Sequence, residues 1–190
     1  DVAAIAGIDI TMSASAYSGD AHAYIFASSS LSISATATAY GFLLDVTTIA
    51  GSVTNSGDIV SDAQATVGIN ISADPPGSAQ AYLSTTGSMD LSATASAYGM
   101  EASVGTLSGT LDNSGDLDVS AIARIDITLA ADASTGDAKA FLFASDSLGV
   151  SASAFAFGLS IDDGTIGSLA NSGAMDVGAG AAIAIDFSAS

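Results

Sequence analysis

The stretch MDLSATASAYG, residues 89–99, alternates residue by residue between two kinds of side chain. Met89, Leu91 and then alanine at every second position fall on one side, and a polar series that begins at Asp90 falls on the other. An alternation with period two is typical of a β-strand with one buried face, because successive side chains of a strand point in opposite directions. The stretch therefore predicts a strand, and a helix would scatter both sets around its axis.

The same pattern recurs along the chain. Similar stretches end at Gly41, Gly99 and Gly158. The tripeptide Asn-Ser-Gly also recurs, and it begins at Asn55, Asn113 and Asn171. Similarity at a fixed period is the signature of a repeat architecture. The spacing predicts a single repeat array over residues 1–190, with repeats at approximately 1–58, 59–116 and 117–174 and a partial repeat at 175–190.

Each repeat is predicted to contain two long and two short strands, so the fold class is all-β. If the repeats stack, equivalent alanines such as Ala35, Ala93 and Ala152 form rows with a spacing of about 4.8 Å. This favours a β-solenoid of about three 58-residue repeats, in which each repeat contacts only its neighbours. The turns are also short enough for hairpins, which leaves an antiparallel β-hairpin stack or sandwich as the alternative.

The composition excludes several classes of function. Among 190 residues, Lys and Arg number 2 and Asp and Glu number 20, so the formal net charge is -18. Binding of nucleic acid needs a cationic face, which Arg124 and Lys139 alone do not make. The chain has no cysteine and therefore no thiolate chemistry or disulfide. Its apolar stretches end quickly at polar residues, so no membrane insertion is predicted. An acidic chain with almost no lysine tolerates salt, which favours an extracellular setting.

The segment GTLDNSGDLDVSA, residues 109–121, has looser copies at 51–61 and 167–178. It resembles repeats of bacterial β-helical adhesins, the filamentous-haemagglutinin-like and autotransporter-passenger-like families. The resemblance implies secretion, a location outside the cell or at its surface, an elongated shape, and a role in adhesion or matrix building. It brings no catalytic residues with it.

The residues needed for catalysis are scarce. His22 is the one histidine, and its equivalents in the next repeats are Gln80 and Lys139. A position that accepts all three residue types is expected to be solvated. The chain also lacks a Gly-x-Ser-x-Gly nucleophile elbow, and the acidic pair at 162–163 corresponds to Ala-Ser one repeat earlier. We therefore predict that the chain is not an enzyme and has no cofactor other than a candidate calcium ion. A carbohydrate-cleaving β-helix would act on acidic polysaccharides, and we expect no such activity.

Aspartates suggest a candidate calcium site. Alignment of the repeats places several aspartates, together with Asn70, at the same outward position of the first strand. Other aspartates recur beside the second strand. Carboxylate oxygens are the ligands that Ca²⁺ prefers, and a cation could bridge neighbouring repeats through them. The alternative is an acidic face that is merely solvated. The candidate metal ligands are Asp9, Asp126 and Asp186 in the first strand, and Asp20 and Asp137 beside the second.

Aromatic residues recur on the polar side of the strands. Rows of exposed aromatic side chains would form long apolar stripes, which mark interaction surfaces. We therefore predict self-association into a homo-oligomer or filament. The alternative is that these aromatic residues form the core and that the alanine faces pack against another sheet. The candidate residues are Tyr24, Tyr82 and Phe141 in one row, and Tyr40, Tyr98 and Phe157 in another.

These observations predict a structural extracellular protein that assembles into a fibre, a surface layer or a biofilm matrix, with divalent cations as candidate partners. An adhesin stalk or an ice-binding module is the alternative. Flat threonine rows would favour ice binding, but Thr36 and Thr38 become Ser153 and Phe155 in a later repeat.

Overall fold

The computed structural model describes residues 1–162 and 164–190, and this part of the chain forms strands without any helix. The prediction of an all-β fold is confirmed. The strands are β1 Val2–Ser15, β2 Ala21–Ala27, β3 Leu31–Ile49, β4 Val53–Asn55, β5 Ile59–Asp74, β6 Ala79–Thr85, β7 Met89–Asn113, β8 Leu117–Ala131, β9 Ala138–Ala144, β10 Leu148–Asp162, β11 Thr165–Asn171 and β12 Met175–Ala189.

The strands form three sheets. Sheet A has the order β1-β5-β8-β12, and sheet B has the order β2-β6-β9. In sheet C the long strand β7 pairs with β3 and β4 on one edge and with β10 and β11 on the other. Every pairing within the described residues is parallel, so the antiparallel hairpin alternative is wrong. The parallel sheets are consistent with a β-solenoid or β-helix.

Paired residues lie a nearly constant distance apart in the sequence. Ala35 pairs with Ala93, and Ala93 pairs with Ala152, so the predicted alanine row is confirmed. We use "row" for residues that the parallel register places side by side on neighbouring strands. One additional residue in the turn between β8 and β9 raises the offset by one in β9 and β10. An irregularity between Ile166 and Ser168 restores the earlier offset.

The inward faces of the three sheets meet in one apolar core. Val67 and Ile69 of sheet A, Leu83 of sheet B and Leu91 and Ala95 of sheet C are all buried there. The alternate residues of the same strands point outward and are more exposed, as the burial patterns of β5, β6 and β7 show. The alternation predicted from the sequence therefore separates the core from the surface.

A row of glycines lies where sheet C approaches sheet A. Gly41, Gly99 and Gly158 each follow the outward aromatic residue of their strand. A Cβ atom added at Gly99 would lie 2.6 Å from the carbonyl oxygen of Gly158 and 2.9 Å from Cγ2 of Val119. The absence of a side chain thus lets the two sheets come into contact at this corner.

Candidate interaction surfaces

A row of three asparagines, Asn55, Asn113 and Asn171, connects the turns that precede the strands of sheet A through side-chain hydrogen bonds. Nδ2 of Asn55 donates to Oδ1 of Asn113 over 2.7 Å, and Nδ2 of Asn113 donates to Oδ1 of Asn171 over 2.7 Å. The Nδ2 of Asn113 also donates to the carbonyl oxygen of Gly115, at 2.7 Å. Because Asn113 is only 1% exposed, these bonds satisfy a side chain that would otherwise be costly to bury. The regular spacing of Asn-Ser-Gly in the sequence was the available signal for this row, but it did not predict the hydrogen bonds between the asparagine side chains.

The outward aspartates of sheet A do not share one place. Asp9 and Asp126 lie in one row with Gly68 between them. Asp186 instead pairs with Thr128, which pairs with Asn70. The prediction that Asp186 and Asn70 share one position with Asp9 and Asp126 is therefore wrong. The register follows the inward residues and the asparagine row, and a local Ile-Asp motif does not override it.

This register separates the acidic side chains. Because Gly68 lies between them, Asp9 and Asp126 are two strands apart, which corresponds to a backbone separation of about 9.6 Å. With Asn70 and Thr128 they line an open surface depression of about 390 Å³. Asp20 and Asp137 lie elsewhere, at the starts of β2 and β9. Within the described residues, no group of three or more His, Asp or Glu could hold a metal ion. The calcium site therefore stays a prediction, and the structure does not bring its five candidates together.

Some aspartates instead accept hydrogen bonds from backbone amides of the equivalent turn in the next repeat. Oδ1 of Asp20 accepts a hydrogen bond from the amide of Ser78 at 2.7 Å. Asp58 accepts one from the amide of Asp116 at 3.0 Å, and Asp116 accepts one from the amide of Ala174 at 2.8 Å. Hydrogen bonds to a carboxylate are stronger than those between neutral groups. These carboxylates therefore help to fix the turns.

The aromatic rows lie on the outer faces of sheets B and C. In sheet C the ring centroids of Tyr40 and Tyr98 are 4.8 Å apart, and those of Tyr98 and Phe157 are 5.1 Å apart. In sheet B, Tyr24 pairs with Tyr82, whose ring stacks on Phe141 at 5.1 Å. The structure thus brings each predicted trio into one row.

Stacking changes the chemistry of Tyr98. Burial raises the pKa of the Tyr98 hydroxyl above its usual value, and the neighbouring Tyr40 and Glu101 raise it further. A negative charge on the Tyr98 hydroxyl is therefore disfavoured.

The outward row that contains His22 is exposed to solvent on strand β2. His22 is exposed and pairs with Gln80, which pairs with Lys139. Nζ of Lys139 lies 3.7 Å from Oδ2 of Asp137, and both side chains are well exposed. An ion pair of this kind contributes little to stability. Of the acidic pair at 162–163, residue 162 lies at the end of β10 and residue 163 is outside the described residues.

In the described part of the chain, no helix is long and apolar enough to cross a membrane. Comparisons of this chain with protein-family models, with curated proteins and with solved structures found no match.

Proposed function

We propose that this chain is a β-solenoid of about three 58-residue repeats and a structural protein of the cell surface or the extracellular space. Copies of it assemble into a fibre, a surface layer or a biofilm matrix. The observation that carries the proposal is the pair of outward aromatic rows, in which Tyr24 is 59%, Phe141 47% and Phe157 41% exposed.

Aromatic side chains on an outer face lose contact with water only when another surface covers them. Stacking within a row covers part of each ring, but the exposed fractions show how much apolar surface remains. Contiguous apolar surface of this kind is uncommon on monomeric proteins and marks interaction sites. Parallel sheets also grow strand by strand along one direction, which suits an elongated, load-bearing shape.

The candidate polar sites favour a structural role over a catalytic one. The depression that contains Asp9 and Asp126 is open, and its two carboxylates lie in a row interrupted by a glycine. His22 is solvated, with Gln80 as its neighbour in the row. A general base works through a positioned partner and a confined substrate, and neither of these places provides both.

Ice binding remains the second candidate because hydroxyl side chains also form rows on sheet C. Ser34 pairs with Ser92, whose Oγ lies 2.9 Å from Oγ of Ser34, and Thr36 pairs with Thr94. Phe155 interrupts the next row, which contains Thr38 and Ser96. Thermal hysteresis of the purified chain would support this candidate, and freezing at the equilibrium temperature would contradict it.

Electron microscopy and sedimentation of the purified chain test the main proposal. We expect oligomers or filaments whose amount increases with protein concentration and with salt, because salt screens the repulsion between chains of charge -18. Calcium added against a chelator control separates general screening from a specific cation effect. Dispersed monomers under all of these conditions would contradict self-assembly.

A further inference from the structure

The outer face of sheet B differs from the other outer faces in its aromatic content. Along the short strands β2, β6 and β9, alternate residues point outward. Besides the row Tyr24, Tyr82 and Phe141, a second row contains Phe26 and Phe143, which are 57% and 56% exposed. These two adjacent rows, of which the second is interrupted by Ser84, form an aromatic patch on three strands, which we call the sheet B patch.

The three strands of the sheet B patch carry no carboxylate, although Asp20 and Asp137 lie in the turns just before β2 and β9. Strands β2, β6 and β9 contain no Asp or Glu, and their outward residues include His22 and Lys139. By contrast, the outer face of sheet A carries Asp9 and Asp126, and that of sheet C carries Asp90. Two copies that each carry a charge of -18 therefore repel each other less when they meet through these strands than through the outward strands that carry Asp9, Asp126 or Asp90.

The size of the patch sets the expected strength of the contact. Seven residues of about 3.3 Å each, on three strands about 4.8 Å apart, cover about 330 Å² per copy. A stable complex buries about 800 Å² per partner, so a face of three strands supports only a weak complex.

We propose that the sheet B patch is the surface through which two copies of this chain dock face to face. The inference rests on the proposed function, because it names the surface by which the assembling chains meet. The aromatic rows provide the apolar contact, and the strands between them add no carboxylate to it. The patch lies on the side of the stack, so the contact is lateral.

Cross-linking through single cysteines locates the contact. The native chain has no cysteine, so Ser84→Cys places one thiol on the outer face of sheet B and Ser96→Cys places one on that of sheet C. Both positions lie on the middle strand of their sheet and are half-buried. With a short bis-maleimide reagent, we expect covalent dimers of the Ser84→Cys chain at several times the yield of the Ser96→Cys chain. Equal yields, or a higher yield from Ser96→Cys, would overturn the proposal.

Substitutions with matched controls test the energetics by sedimentation at high protein concentration. The double substitution Phe26→Ser and Phe143→Ser introduces serine at two positions on either side of Ser84 in the same row. Because serine already occupies the middle position, we expect the fold to be retained. Phe155→Ser is the control on sheet C, where the neighbour in the row is Ser96. We expect at least a tenfold weaker association for the double variant and less than a twofold change for the control.

A charge-matched pair sharpens the test. Lys139→Glu adds a carboxylate to the sheet B patch, and Arg124→Glu makes the same charge change on the exposed outer face of sheet A. We expect association to fall severalfold more for Lys139→Glu. If both charge substitutions weakened association equally, the sheet B proposal would be wrong and the proposal of self-assembly would remain. The same holds if only Phe155→Ser weakened association. If the unsubstituted chain does not associate at all, both proposals fall.

Discussion

The inward and outward faces of the neighbouring strands β5 and β8 obey different rules. Inward, Ala63 pairs with Ala121 and Ile69 pairs with Ile127, so like lies beside like. Outward, Thr66 pairs with Arg124, and the next outward pairs are just as dissimilar. In the close-packed core the space available to each side chain is fixed by its neighbours, whereas an outward side chain can extend into water. The difference predicts that equal chemical changes have unequal effects on the two faces.

The largest effect is expected at the asparagine row. Asn113→Asp removes both Nδ2 donations and places a buried carboxylate beside the oxygens of Asn171 and Gly115. We expect the free energy of unfolding in urea to fall by about 3 kcal/mol at neutral pH, and by less in acid, where a protonated carboxyl can donate.

Asn171→Asp is the control for this change. Asn171 is exposed, and an aspartate there keeps the oxygen that accepts from Asn113. A loss below about 1 kcal/mol is expected for the control. If the two variants were equally destabilised, burial would not be the cause.

The second effect compares an inner with an outer glycine. Gly99→Ala forces a methyl group against the backbone of Gly158 and the side chain of Val119, and overpacking of this kind costs about 2 kcal/mol. A methyl group at the outward Gly7 would have no heavy atom within 4 Å, so Gly7→Ala should leave stability unchanged. Thermal denaturation of both variants measures the difference, and a stable Gly99→Ala chain would refute the close contact of the sheets.

A gain in stability is expected from a change on the inward face of β5. Ser61 is fully buried between Val2 and Val119, and its Oγ has no hydrogen-bond partner in the described part of the structure. Ser61→Ala removes this hydroxyl, so the free energy of unfolding should rise by about 1 kcal/mol. Ser120→Ala, on the outward face of β8, should change it little. Destabilisation by Ser61→Ala would indicate that the hydroxyl is bound.

The smallest effect concerns the aromatic row of sheet C. Because folding raises the pKa of Tyr98, its neutral form is favoured in the native state. This contribution to stability is complete below the ordinary tyrosine pKa and is lost as the pH rises through the raised value. Absorbance titration should show a native tyrosinate fraction that forms at higher pH than in urea. Tyr98→Phe should abolish that fraction, and its persistence would assign the raised pKa to another residue.

The sequence predicted the parts of the fold that depend on short-range alternation and on the repeat spacing. The inward faces followed directly from period two, and the row of Ala35, Ala93 and Ala152 followed from the period. It did not distinguish parallel from antiparallel pairing, because the Asn-Ser-Gly turns are short in either case. The parallel register brings the asparagines of neighbouring repeats together, so that their side chains form hydrogen bonds with each other. In the sequence these asparagines look like ordinary turn residues.

The candidate sites were less predictable than the fold. The place of Asp186 was wrong by two residues, because a period of two leaves inward and outward faces unchanged after such a shift. Only long-range register separates the two alignments. The aromatic rows were placed correctly because their outward alternation and their order in the repeats agree.

The additional residue between β8 and β9 indicates how this molecule tolerates change in length. The register of sheet A is the same before and after it, because the irregularity near Gly167 absorbs the difference within sheet C. Turns can therefore lengthen without disturbing the neighbouring strands. The turn that ends at Asp137 is thus a natural attachment point for a foreign peptide, which the proposed fibre would display at regular intervals.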